Sequence, residues 1–348
     1  MTPRNTRRRW ASAGTASASA GIALFLAATW LFTPFGCAEE LTGLKKPRWK
    51  QLSEAYGFLL GQQRSLAQIE QQFPELRRNV KQVWFAFYSG PLGNSLAGIE
   101  DEMGRLYGEK WSELKPQMDA QMADLLAQQT IDRNQAQEFL DEVAARAKGD
   151  IPEEIRSTLL STVPRYVKFP DEELLDGWKQ TFRTKDHPTA KGVDFSISLP
   201  ASWSRSEGNR PDMVQLFQSS GGHGSLMCSA TVKTLPSITK AERDDFFRAD
   251  SLSDMCGKTG KALSTATVTL NGRRTGLVVC DGVQEWSSVR VAMRTTNYFV
   301  ISGRAMILLQ FMAFQRADSK DSLDDLQARA FPLFQAAANS LVLYRRNE

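Results

Sequence analysis

From residue 193 onward, apolar and polar side chains alternate. Val193-Asp194-Phe195-Ser196-Ile197-Ser198-Leu199 shows the two-residue period of a half-buried strand, and Pro200 stops it. Stretches 225–235, 263–270, 274–281, 287–301 and 304–314 repeat the pattern, set apart by turn signals such as Asn271-Gly272. In order, residues 192–345 read as three strands, a helix near 239–254, four strands, a helix over about 322–339 and a closing strand at 341–344. Strands covered by helices in this order predict an α+β layered domain with a mostly antiparallel sheet.

Residues 41–180 carry a different period. Leu52, Tyr56, Leu59, Gln63, Leu66, Ile69 and Phe73 recur at three and four, the spacing of one helical stripe. Pro74 ends that helix, and Leu76, Val80, Val83, Trp84 and Phe87 continue the spacing in a second until Gly90-Pro91. A longer helix starts near Gly93, and Pro116 is expected to kink or divide it, having no amide hydrogen for the ladder. Phe139, Leu140 and Val143 mark another helix closed by Gly149, and 152–162 and 171–182 read as shorter ones. One stripe per helix predicts an all-helical N-terminal domain packed as a small bundle. The competing use of such stripes is docking onto a partner helix or a bilayer. Trp84, Phe85, Phe87 and Tyr88 cannot all face one way on a helix, so this knot is the candidate interaction patch, against a default of core. Residues 181–191, polar and carrying His187-Pro188, read as a linker.

Charge changes the picture at one end only. The net charge of +4 comes from Arg4, Arg7, Arg8 and Arg9, since residues 1–38 hold no acid. Without them 39 basic face 39 acidic side chains, and a neutral body gives no reason to expect nucleic acid as a partner. Residues 1–38 have the form of an export signal: arginines, small residues over 11–20, then an apolar run over 21–32. Gly36-Cys37-Ala38 would place the cut after Ala38, with lipid attachment at Cys37 as the rival reading. Retained, residues 11–35 would serve as a signal anchor. The expectation is an exported protein, periplasmic or extracellular, and membrane-anchored if the leader stays. An oxidising compartment lets cysteines pair. Cys228, Cys256 and Cys280 leave three pairings open; Cys256–Cys280 is preferred, against three buried small hydrophobes.

Phe195-Ser196-Ile197-Ser198-Leu199-Pro200-Ala201-Ser202-Trp203 resembles the opening strand, proline and tryptophan of the Mog1/PsbP-like superfamily. The ending Ala338-Asn339-Ser340-Leu341, helix into last strand, is also similar to that group. The resemblance covers the second half alone and implies a Mog1/PsbP-like α/β sandwich. It also implies a binding or assembly role, since members of the group are mostly not enzymes. No ligand residues match, and the helical half resembles no known family.

Chemistry has few footholds. His187 and His223 are the only histidines, and no Cys/His cluster suggests a metal. In Ser219-Ser220-Gly221-Gly222-His223-Gly224-Ser225 the glycines could offer amides to an oxyanion, with His223 as base and Ser225 as nucleophile. The plainer reading is a hairpin loop. Asp171-Glu172-Glu173, Glu100-Asp101-Glu102 and Asp244-Asp245 suit solvated helix faces better than a cleft. Arg77, Arg78 and Lys81 read as a wet helix face, and Gly257-Lys258-Thr259 lacks the earlier glycine of a phosphate loop. No cofactor is implied. The sequence thus favours an envelope protein that binds or assembles protein partners by surface docking. The alternatives are a hydrolase on the Gly221–Ser225 loop and a membrane-tethered envelope protein.

Overall fold

The computed structural model describes residues 46–344 except 209, 238, 258–259, 287–288 and 316–320. The 1–38 leader, its 11–35 apolar reach, Cys37 and Lys258-Thr259 lie outside the described residues.

The chain folds as a helical half followed by an α+β half with antiparallel sheets. Helix α1 (Arg48–Gln72) buries Leu52, Tyr56, Leu59, Leu66 and Ile69, the residues its period set on one face. Gln62 rather than Gln63 faces inward, where Arg146 donates to its side-chain oxygen at 3.2 Å. Phe73-Pro74 ends α1, and a short 3-10 turn leads into α2 (Arg77–Tyr88). Next come α3 (Pro91–Tyr107), α4 (Lys110–Ala127), α5 (Arg133–Arg146) and α6 (Glu153–Ser161). Asp132 and Gln135 start α5 by capping each other's backbone amides. The break expected at Pro116 falls elsewhere. Pro116 sits inside a continuous α4, and Gly108, at φ +58°, divides α3 from α4. A left-handed residue without Cβ ends a helix at little cost, whereas proline removes one ladder bond.

Two five-residue helices, α7 (Pro164–Lys168) and α8 (Asp171–Leu175), carry the chain to the second half. The helix read over 171–182 therefore stops at Leu175. Lys179–Arg183 alternates between solvent and interior and forms strand β1. The linker read over 181–191 is not a tether either: its first residues belong to β1, and Ala190 is buried in the sandwich core. The reason lies in the partner strand. β2 (Phe195–Pro200) takes β10 (Val342–Leu343) at only two positions, so most of its other edge is covered by β1, from Lys179 opposite Pro200 to Arg183 opposite Ser196.

Among the described residues the larger sheet has seven strands, in the order β3-β4-β5-β9-β8-β7-β6. These are β3 (Ser204–Glu207), β4 (Met213–Gln218), β5 (Leu226–Thr234), β6 (Lys261–Leu270), β7 (Arg273–Trp286), β8 (Val289–Ser302) and β9 (Ala305–Phe314). Helix α11 (Leu323–Asn339) lies against β8, β9 and β2. Phe334 of α11 stacks on Phe311 of β9 at 5.1 Å, in a core with Phe195, Ile197, Leu199 and Phe217. The helix expected near 239–254 is two, α9 (Lys240–Phe246) and α10 (Ala249–Asp254), packed near the β6 edge in a small cluster with Val278, Phe299 and Met306. Cys256, just after α10, is bonded to Cys280 of β7 (Cα–Cα 5.6 Å), and Cys228 stays a buried free thiol.

Candidate functional site: the seam between the halves

The two halves meet where α6 and α8 reach the loops at one end of the sandwich. Ser202, in the turn after β2, is the hub. Its amide donates to Glu173 Oε1 at 2.7 Å and its hydroxyl to Glu173 Oε2 at 2.6 Å. Its carbonyl accepts from Ser157 Oγ of α6 and from the Gly221 amide, both at 2.9 Å. Beside it the Ala201 amide donates to the Trp178 carbonyl at 3.1 Å. Glu173, read from sequence as part of a solvated acidic run, is buried. Burial pushes its carboxyl up to about 7, while the donors on Ser202 and Ala201 pull the other way. Asp171 and Glu172 stay at the surface side of the same short helix, and Arg165 pairs with Glu172 and Asp176.

The glycine loop belongs to this seam. Ser219–Gly222 makes a single turn with Ser220, Gly221 and Gly222 all at positive φ. The glycines admit that conformation. A side chain at Gly221 would press on Gln51 of α1 at 3.1 Å. His223 Nε2 lies 3.1 Å from the Lys46 carbonyl. A carbonyl only accepts, so Nε2 carries the proton and donates. The amides of Gly221, His223 and Gly224 already bond the carbonyls of Ser202, Ser220 and Ser219, and the Ser225 carbonyl accepts from Phe314. Donors spent on backbone carbonyls are not aimed at a developing oxyanion. The loop is built as a joint. Nothing in the loop's sequence pointed to its partners, because Gln51, Lys46 and Ser202 are far away along the chain.

The aromatic knot is divided. Phe87 is buried and Tyr88 half-buried, its hydroxyl donating to the Leu59 carbonyl at 3.3 Å. Trp84 is 40% exposed and Phe85 73%. Three more exposed apolar side chains, which the helical period did not single out, lie on and between α7 and α8: Val167 is 55% exposed, Phe169 45% and Leu175 72%. Residues in such short helices show no stripe, so the only available signal was their density within nine positions. The acidic runs Glu100-Asp101-Glu102 and Asp244-Asp245 serve ion pairs with Arg48, Arg105, Lys115, Arg248 and Arg274. Among the described residues no group of His, Cys, Asp and Glu could hold a metal, and no helix is long and apolar enough to cross a membrane.

No family model matches the chain, and no curated protein matches it in sequence. Solved structures do. LpqN of Mycobacterium tuberculosis, described as involved in cell envelope biogenesis, matches at 12% identity and a TM-score of 0.32, over 51% of this chain and 98% of LpqN. The Ran-binding protein Mog1p of Saccharomyces cerevisiae matches at 9% identity and a TM-score of 0.31, over 47% of this chain and 95% of its own. A Bacteroides thetaiotaomicron protein matches at 10% identity and a TM-score of 0.27, over 44% of this chain, which spans only 46% of that one. Likenesses this distant carry nothing about activity. Over about half its length, this chain is similar to LpqN and Mog1p.

Proposed function

We propose that the chain is an exported, non-enzymatic binding or assembly protein of the cell envelope, and that it receives a protein partner at the seam. The observation that carries this reading is the exposure of Val167, Phe169 and Leu175, on and between the two short helices joining the halves. Large apolar side chains held in water at a junction of rigid units mark a surface that another molecule covers. Export rests on the arginine-led, apolar 1–38 leader.

Affinity capture from the native envelope fraction tests it. A partner retained by the wild-type chain should be lost, by about tenfold or more in affinity, from a chain carrying Phe169→Ser and Leu175→Ser. Both residues are at the surface, so the circular dichroism should stay unchanged. Retention of the partner by that variant overturns the assignment of the seam. Loss of a measured hydrolase activity on His223→Ala or Ser225→Ala would overturn the non-enzymatic reading. Amino-terminal sequencing of the mature protein, with Glu39 as the expected first residue, tests export.

A further inference from the structure

Helix α2 carries two local costs on its outward surface. It begins with Arg77 and Arg78, at the end where the helix dipole disfavours cations, with Glu75 of the preceding 3-10 turn as the one acid next to that end in sequence. Arg77 is held by Glu70 at 3.2 Å. Arg78 and Lys81 have no acidic partner among the described residues. One to two turns further on, the same helix exposes Trp84 and Phe85 while Val80 and Phe87 anchor it inward. Arg78, Lys81 and Phe85 recur at three and four, as do Arg77, Lys81 and Trp84, so cations and exposed aromatics share one outward sector. From Arg77 to Tyr88 the helix holds no acidic residue at all. The indole is also fixed in place: its ring packs on Tyr88 with centroids 4.2 Å apart.

We infer that this face of α2 docks on an anionic phospholipid surface, with Trp84 and Phe85 in the headgroup layer and Arg78 and Lys81 on lipid phosphates. Both costs are recovered there, and among the described residues nothing offsets the charge of Arg78 and Lys81 or covers Trp84 and Phe85 fully. Aromatic side chains settle at the headgroup level, and cations gain about 1 kcal/mol each near an anionic leaflet. A helix that presents its apolar residues outward fits a deformable layer, whereas a protein partner would have to supply a matching groove. The contact is parallel to the surface and separate from the seam, so it stands or falls independently of the partner proposed there.

Flotation of the full chain with vesicles tests the inference. Vesicles of phosphatidylcholine with phosphatidylglycerol should bind it more tightly than phosphatidylcholine alone, and salt should weaken that preference. Arg78→Gln with Lys81→Gln should lower partition to the anionic vesicles by about thirtyfold, and Trp84→Ser with Phe85→Ser by about tenfold or more. A second readout does not depend on the leader: acyl-brominated anionic lipid should quench indole emission more in the wild type than in Trp84→Phe. Variants that float like the wild type, together with equal quenching, overturn the proposal. So does binding of single-stranded RNA or polyglutamate that these substitutions weaken while vesicle binding is unmoved.

Discussion

Glu173 shows how one position can set a property of the whole protein. Its carboxyl is buried with hydrogen-bond donors but no cation among the groups that shift it, and burial raises it from an ordinary 4.5 to about 7. Between those values the folded chain holds a proton that the unfolded chain has released. Stability from this residue is therefore complete below the lower value, declines as pH rises through the window, and levels off above about 7. The displacement corresponds to about 3 kcal/mol. Gln at this position keeps an oxygen for the Ser202 amide and offers an NH2 to the Ser202 hydroxyl. Glu173→Gln should thus be more stable than wild type by about 1–3 kcal/mol at about pH 8 and nearly equal to it at about pH 5. Urea unfolding at the two pH values measures this, and an equal effect at both would show that the carboxyl is not held neutral. None of this was legible in Asp171-Glu172-Glu173, where three like side chains look alike until the fold turns one inward.

Elements were legible where their period was long. The α1 stripe and the strands β8 and β9 fall close to where their patterns put them, whereas β7 runs on to Trp286, past the expected 281. Short elements set by a distant partner were not: β1 looked like helix and linker, since its reason to be extended is the edge of β2. The α9–α10 pair lies between these cases. It has a legible start at Thr239, which caps Glu242, but it is small and covers one corner of the sheet. The disulfide from Cys256 to Cys280 ties the chain just after it to β7 and closes a loop of 24 positions that takes in β6. Such a closure is worth about 3 kcal/mol through the unfolded chain. Mild reduction should lower global stability by about that amount, and hydrogen exchange should rise first over 240–262 while β5 and β9 stay protected. Uniform loss of protection would show instead that this corner is integral to the main core.

At the scale of the molecule, the question is where one half ends and the other begins. The sequence placed the boundary at residue 192, after a polar stretch. The hydrogen bonds place it earlier. β1 supplies five paired positions to β2, whose other edge has only two from β10. Leu174 of α8 packs against the sandwich core, and α8 lies on α11. A chain starting at 192 would expose the backbone donors and acceptors of β2 along that edge, and unpaired edges in water recruit other strands. It would also uncover Phe182's place against Phe217, a ring contact at 5.7 Å. Glu173 and its bonds to Ser202 would be gone as well. Residues 192–344 expressed alone should therefore aggregate or remain open to protease, whereas residues 171–344 should give a soluble unit with a cooperative unfolding transition. Equal behaviour of the two fragments would mean that β1 and α8 belong energetically to the helical half, with the seam as an interface between independent domains. The expected difference follows from burial: α8 and β1 place apolar side chains in the sandwich core, while the bonds that Ser157 of α6 and Lys46, before α1, make across the seam are polar and involve backbone carbonyls.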